Sequence, residues 1–169
     1  MVATTLQEPG ADEPGVETTA DEAVRAYRLL GGRRISRRPI RNALDAHDLI
    51  VHGLSSQALL HLVDKVAVLS SGDALNKAIG ISLRTLQRKR KSEQGQAKLS
   101  LEQSSRTWRF AEILAQAIEI LGSQEAAEAW LLAPAIGLEN RRPIDLLSSA
   151  AGGEAVEHYP TRMEYGVYT

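Results

Sequence analysis

The chain has 169 residues, enough for one or two small domains, and its 43% apolar share is enough for a buried core. It has no cysteine, which excludes disulfides and thiolate metal sites and suits a reducing cytosol. No apolar run approaches the roughly 18 residues of a membrane span, so we expect a soluble, cytoplasmic protein with no membrane partner. Few aromatic residues and many Ala- and Leu-dense runs favour an all-α fold.

Charge is strongly segregated along the chain, although the net charge is only −1. Residues 1–24 carry six acids and no bases, residues 25–98 carry fifteen bases and five acids, and residues 99–169 carry five bases and ten acids. A basic centre between acidic ends favours two different partners, with a polyanion for the centre. The alternative is a globule whose charges neutralise one another internally.

The amino-terminal region mixes Pro, Gly, Thr and acids, and we expect residues 1–18 to be disordered. The segment Thr19–Glu22 is similar to a capping box, which predicts a short helix that ends at Leu30 before two glycines. The basic segment Arg33–Pro39 follows. It is either an arm that contacts phosphates or a solvated linker.

Between Ile40 and Leu69 apolar residues recur at helical spacing, and Gly53 with Ser55 marks a break and a new helix start. The side chains predicted to face inward are Leu44, Leu59, Leu62, Val63 and Val66. The three histidines of this region lack a spacing that would place them on one helix face, so surface or capping roles are favoured over a zinc site.

The segment Ser70–Lys91 has the spacing of a helix-turn-helix. Ser71 predicts the cap of a first helix, Gly80 a tight turn, and Ser82 the cap of a second helix. In that second helix Leu83 is predicted to face inward together with Leu86. Polar residues on its outer face can read base edges or contact phosphates. The predicted DNA-binding residues are Ser82, Arg84, Thr85, Gln87, Arg88, Lys89, Arg90 and Lys91.

The string Leu75–Leu86 resembles the helix-turn-helix of Xre-type repressors. One departure concerns Asn76, because such motifs usually place a small residue four positions before the glycine, where the two helices cross. A buried Asn needs a hydrogen-bond partner. The departure predicts a looser crossing or a shifted register.

Ser100 and Gln103 form a capping-box pattern that opens a long helix, which ends at Leu121 before Gly122. Its apolar residues form two stripes, so the helix must be covered on more than one side. A second subunit is the economical cover in so small a protein, and a deeper monomer core is the alternative. The predicted homodimer interface consists of Phe110, Ile113, Ala117 and Ile120.

The carboxy-terminal part combines several features in a fixed order. A short predicted helix contains Trp130 and Leu131, and Gly137 follows it. In the block Arg142–Leu147, Pro143 is suited to the first turn of a helix. The sequence then ends with Glu164–Thr169. This order resembles the toxin-binding domain of the Xre/MbcA/ParS antitoxin family.

The resemblance implies an all-helical, dimeric antitoxin whose partner is a RES-class toxin, which consumes NAD by attack at its glycosidic bond. It also implies repression of the antitoxin's own operon and a carboxy-terminal element at the entrance of the toxin's NAD pocket. The toxin-binding residues that it implies are Arg141, Arg142, Arg162, Glu164, Tyr165, Gly166, Val167, Tyr168 and Thr169. In the alternative, the terminal tyrosines pack back on the chain's own helices.

The predicted organisation is a disordered acidic tail over residues 1–18, a helical DNA-binding domain over residues 19–98 with its helix-turn-helix at 71–91, and a helical dimerisation and toxin-binding domain over residues 99–169. Pro160 lies in the last predicted helix and predicts a kink or two short helices there.

An enzyme is the weakest class, because the sequence has no phosphate-binding glycine loop and no clustered His, Asp and Ser. No cofactor or metal is predicted. The alternative function is a stand-alone DNA-binding transcriptional regulator with a carboxy-terminal dimerisation or sensor domain.

Overall fold

Helices form all the regular secondary structure in the part of the chain that the computed structural model describes, residues 14–92 and 97–164, with side chains over 21–92 and 97–159. This confirms the predicted all-α fold. The helices are α1 (Pro14–Leu29), α2 (Ala43–Val51), α3 (Ser56–Lys65), α4 (Gly72–Ile79), α5 (Leu83–Lys91), α6 (Leu101–Leu121), α7 (Gln124–Leu132), α8 (Pro143–Leu146) and α9 (Ala150–Glu164). Short 3-10 turns lie at Gly32–Arg34, Ala67–Ser70 and Ile136–Leu138.

Helix α6 is the centre of the molecule and has the predicted ends. Ser100 Oγ accepts a hydrogen bond from the Gln103 N–H at 3.1 Å, and the Gln103 side chain accepts one from the Ser100 N–H. Gly122 ends the helix in the left-handed conformation, with φ of 84°. Helices α1, α2, α4, α7 and α9 all pack against α6.

The surroundings of α6 correct the predicted dimer interface. Phe110 and Ile113 are each 1% exposed and Ala117 is 0% exposed within a single chain, and Ile120 is half-buried. The chain's own helices therefore cover both apolar stripes, as in the alternative of a deeper monomer core. A homodimer remains a prediction, and it needs another surface.

The amino-terminal helix begins earlier than the capping-box pattern predicts. Helix α1 starts at Pro14, so the prediction of disorder is wrong for residues 14–18; residues 1–13 lie outside the described part. Proline is well suited to a first helical turn, where its missing N–H costs no hydrogen bond. The predicted end at Leu30 is correct to within one residue, since α1 ends at Leu29 and Gly31 follows with φ of 103°.

Most of the predicted inward residues of α3 and its flanks are confirmed, since Leu59, Leu62, Val63 and Val66 are all buried. Leu44 is the exception, with 75% of its surface exposed. It lies in the first turn of α2, where its N–H and that of Asp45 donate to the Asn42 side chain. This cap fixes the turn with Ala46, and not Leu44, facing the core.

Helix α9 runs from Ala150 to Glu164 as one helix. Of the two expectations at Pro160, two short helices is therefore wrong, and a kink stays a prediction. Among the described residues, no helix is both long and apolar enough to cross a membrane.

Candidate functional site

The helix-turn-helix consists of α4, the turn at Gly80 and α5. Gly80 has φ of 77°, a conformation that glycine adopts without strain, and Ile81 beside it is buried. Ser82 then caps α5 by accepting a hydrogen bond from the Thr85 N–H at 3.2 Å. The two helices and the turn lie where the sequence predicts them.

The departure at Asn76 places no buried polar side chain between α4 and α5. The Asn76 side chain is exposed, and it needs no buried partner. Gly72 is the small residue that faces α5, because a Cβ atom there would lie 2.9 Å from Leu83 Cδ1. Leu83 remains 40% exposed, so the prediction that it is an inward residue is wrong, whereas Leu86 is buried as predicted.

The outer face of α5 is a cationic surface. Arg84, Gln87, Arg88 and Lys91 are all exposed along it, at the helical spacing that predicts one stripe. Arg90 lies at its edge, where Nη2 is 2.6 Å from Asp64 Oδ1 of α3. The remaining predicted residues, Ser82, Thr85 and Lys89, flank the stripe, and the first two are occupied in the cap.

Arg106 of α6 holds the end of α4 in place. Its guanidinium donates to the carbonyl oxygens of Lys77 at 2.6 Å, Ala78 at 3.3 Å and Asn76 at 3.3 Å. These are carbonyls of the last turn, where a positive charge is favourable because the helix dipole is negative there. The turn at Gly80 leaves the space for this side chain, since a Cβ at Gly80 would lie 2.5 Å from Arg106 Nη1.

Helix α8 carries the Arg-Pro-Ile-Asp block and is joined to α4 through Asp145. Arg142 binds the Asp145 carboxylate with two hydrogen bonds of 2.8 Å, through Nε and Nη2. Lys77 Nζ donates to the same carboxylate at 2.7 Å and to Asp73 at 2.8 Å. The hydrogen bond from Arg142, then that from Lys77, lowers the pKa of Asp145 to about 2. We call Lys77, Asp145 and Arg142 the Asp145 cluster.

The two predicted arginines of this block therefore differ. Arg142 is engaged within the chain, and its pKa is raised by its hydrogen bond to Asp145. Arg141 is exposed and forms a 3.2 Å ion pair with exposed Glu139. The turn before it is unusual, because Glu139 and Asn140 both have positive φ, 56° and 58°, which non-glycine residues rarely adopt. This turn presents Arg141 outward.

The start of the carboxy-terminal element is fixed by an aromatic stack. The rings of Trp130 in α7 and Tyr159 in α9 are parallel, with centroids 6.1 Å apart. Gly137 lies against the Tyr159 ring, and a Cβ at Gly137 would overlap the ring. Arg162 and Glu164 lie in the last turns of α9, with side chains outside the described residues. The predicted tail residues Tyr165, Gly166, Val167, Tyr168 and Thr169 lie outside the described residues.

A carboxyl group with a raised pKa lies between α1, α6 and α9. Burial raises the pKa of Glu112 to about 7, against the hydrogen bond from Trp108, and the charges of Glu157 and Glu22 raise it further. Arg109 Nε lies 2.7 Å from Glu157 Oε1 and lowers the pKa of Glu112. The sequence pattern does not single out Glu112, because nothing local shows that α1 and α9 meet there.

Comparison with known proteins identifies both halves of the chain. Residues 116–166 match the antitoxin Xre/MbcA/ParS C-terminal toxin-binding domain, and residues 45–112 match the antitoxin Xre-like helix-turn-helix domain. Together the two matches give the chain the domain pair of Xre/MbcA/ParS antitoxins. A curated relative, Antitoxin Xre of Yersinia enterocolitica, is 31% identical over 94 residues, 55% of this chain. The match spans 62% of that relative's length.

The structure brings the two matched stretches together in a way that the motifs do not reveal. Lys77 joins the helix-turn-helix to the toxin-binding part through Asp145, and Arg106 joins α4 to the central helix α6. Sequence reasoning missed both. From the sequence alone, Lys77 is expected to be a solvated cation in a basic region. Arg106 is likewise expected to be a solvated cation on an amphipathic helix. Only the packing of α4 against α6 and α8 gives them partners.

Proposed function

We propose that this chain is an antitoxin that neutralises a RES-class, NAD-consuming toxin and represses its own operon. In this proposal the tail, Tyr165–Thr169, occludes the toxin's active site, and α5 binds operator DNA as part of a homodimer. The observation that carries it is the succession of the two family matches, helix-turn-helix and then toxin-binding domain, along one chain.

The exposed stripe of α5 supports the DNA-binding part of the proposal. Arg84, Gln87 and Arg88 are exposed in the first two turns of the helix, which is the part that enters a major groove in helix-turn-helix proteins. Arg pairs with guanine and Gln with adenine through two hydrogen bonds each. Lys89, Arg90 and Lys91 lie at the end of the helix and supply phosphate contacts.

The differing surroundings of the two arginines support a division of roles at the toxin interface. Arg141 has its side chain 63% exposed, and we assign it to acidic groups of the toxin. Arg142 is bound to Asp145, and we assign it to holding the start of α8. The stack of Tyr159 on Trp130 fixes the direction of α9, whose last turns contain Arg162 and Glu164. The tail follows these residues in the sequence.

The test is co-expression of the chain with the toxin encoded next to it, with cellular NAD and growth as the readouts. Full-length antitoxin is expected to preserve NAD and to co-purify with the toxin. Removal of Gly166–Thr169 is expected to release NAD consumption. The matched control is Arg88→Ala, which is expected to lose operator binding and to retain neutralisation.

The alternative, a stand-alone transcriptional regulator, predicts the opposite pattern. Removal of Gly166–Thr169 would leave cellular NAD unchanged, and no toxin would co-purify with the full-length chain. Sedimentation of the free protein tests the dimer separately, and a monomer at micromolar concentration would contradict it.

A further inference from the structure

A cavity of about 650 Å³ lies between the end of α1, the basic linker and the junction of α2 and α3. Its volume is within the range of about 300–1,000 Å³ that is typical of small-molecule sites. The cavity lies apart from the outer face of α5, because it is at the first turn of α3, whereas α5 contacts Asp64 near the last turn. From Ser55 to Asp64 the helix advances about 13 Å.

The linker that forms one wall is held in place. The Tyr27 hydroxyl donates to the carbonyl oxygens of Ser36 at 2.5 Å and Arg38 at 3.3 Å. On the opposite wall, Lys98 is held by an antiparallel bridge to Ser55. These contacts hold the backbone of the segment in place, while its arginine side chains stay exposed.

The rim of the cavity is strongly cationic. Arg34, Arg37, Arg38 and Lys98 line it, and Asp48 is the one acid that lines it among the described residues. None of the four bases forms an ion pair with another described residue, although half of the described arginines do. Cations that converge on a concave site with no paired acid suit a ligand with more than one negative charge.

The floor of the cavity is apolar and aromatic. It is formed by Tyr27, Leu30, Leu49, Leu54 and Ala58, all of them buried or half-buried. Inorganic phosphate would leave this surface uncovered. A planar, partly apolar group would cover it, and a sugar hydroxyl could donate a hydrogen bond to the Asp48 carboxylate.

We propose that this cavity binds a nucleoside phosphate, with its phosphates at Arg34, Arg37, Arg38 and Lys98 and its base on the apolar floor. The site is distinct from the DNA-binding face of α5 and from the toxin-binding part. A ligand in this cavity would contact the linker, α1 and the α2–α3 junction at the same time.

Calorimetric titration of the full-length protein with ADP tests the proposal, with adenosine and inorganic pyrophosphate as partial ligands. ADP is expected to bind at one site per chain, and both partial ligands at least tenfold more weakly. Arg37→Ala and Arg38→Ala are each expected to weaken ADP binding by roughly ten- to a hundredfold, as for loss of a charge-assisted hydrogen bond. Arg28→Ala, an exposed arginine of α1 that does not line the cavity, is the control and should leave affinity unchanged.

Three results would overturn the proposal. The first is no saturable ADP binding at millimolar concentration, and the second is an equal loss for Arg28→Ala and Arg37→Ala. The third is pyrophosphate binding as tightly as ADP, which would show that the base makes no contact with the apolar floor. If ADP fails to bind and Arg37→Ala weakens operator binding as much as Arg88→Ala does, the linker cations serve a DNA strand. Circular dichroism of each variant confirms that the fold is retained.

Discussion

Lys77 Nζ lies 2.7 Å from Asp145 Oδ1, and this contact joins the first helix of the helix-turn-helix to the Arg-Pro-Ile-Asp block of the toxin-binding part. The residues are 68 positions apart in the chain. Both side chains are about one-third exposed, so the pair is only partly shielded from water. The contact matters less as an isolated ion pair than as one of three hydrogen bonds on a single carboxylate.

Asp145→Asn tests the Asp145 cluster. We expect it to lower the free energy of unfolding by about 1–3 kcal/mol, because three charge-assisted hydrogen bonds lose their anionic acceptor. Urea unfolding at pH 7 measures the change. Asp73→Asn is the matched control, since Asp73 also binds Lys77 but is 66% exposed, and its expected cost is below about 0.5 kcal/mol. Equal losses would show that Asp145 has no special role.

The lowered pKa of Asp145 also predicts how the stability difference between wild type and Asp145→Asn depends on pH. The pKa of Asp145 is lowered to about 2 from an ordinary value of 3.8, so the charged cluster stabilises the fold above pH 3.8. That contribution is lost as the pH falls from 3.8 toward 2. The stability difference between wild type and Asp145→Asn should therefore be constant from pH 7 to 5 and shrink below pH 4. A difference that persists at pH 2 would contradict the assignment.

Gly80→Ala tests the contact between the turn and Arg106. Any non-glycine residue at φ of 77° costs about 1–2 kcal/mol, and the added methyl would also displace the Arg106 guanidinium from the α4 carbonyls. Gly122→Ala is the matched control, because Gly122 has φ of 84° with open space around it. We expect Gly80→Ala to cost roughly 1–2 kcal/mol more than Gly122→Ala, as for loss of a charged hydrogen bond. Similar melting temperatures for the two variants would show that the Arg106 cap contributes little.

Glu112→Gln tests the carboxyl group among α1, α6 and α9. Its pKa in the folded chain, about 7, lies above its ordinary 4.5, so the protonated form stabilises the fold below pH 4.5 and this contribution is lost as the pH rises through 7. The amide cannot ionise. We expect Glu112→Gln to be more stable than wild type by on the order of 1–2 kcal/mol at pH 8, and to match it at pH 5. Parallel stability curves would contradict the raised pKa.

Arg88→Ala tests base reading by α5. Loss of a two-bond contact to a base should weaken binding to the chain's own promoter by about 1–3 kcal/mol and should weaken binding to a scrambled duplex less. Fluorescence anisotropy at fixed salt measures both. The control is Arg28→Ala, which removes the same charge from α1. An equal loss on both duplexes would assign Arg88 to a phosphate.

The sequence predicted the local features of this fold well. Caps and turns at Ser82, Ser100 and Gly122 depend on residues within one turn, and all three are confirmed. The long-range features were not predictable in the same way. The exposure of Leu44 depends on which side of α2 meets the core, and the cover over Ile113 depends on how many helices surround α6. Amphipathic spacing indicates that one face of a helix is buried, but it does not indicate which element covers that face.

The candidate site shows the same division. The exposed stripe of α5 follows from helical spacing alone, since Leu86 fixes the buried side and Arg88 must then face outward. From the sequence alone, Arg142 is expected to be a free cation before a helix, and only the structure shows its carboxylate partner. The cationic cavity depends on a linker whose ordering comes from Tyr27, nine residues before its hydrogen-bond acceptor at Ser36.

Helix α6 belongs to both family matches, because residues 45–112 end inside it and residues 116–166 begin inside it. A recombination joint between the matches would fall at residues 113–115, where Ile113, Leu114 and Ala115 are all buried. Exchange of the amino-terminal part between relatives would therefore place mismatched side chains in a fully buried stretch of α6. If α5 binds operator DNA and α9 leads to the toxin, as proposed, changes in either specificity are expected on the exposed surfaces of those helices and not in the buried residues of α6.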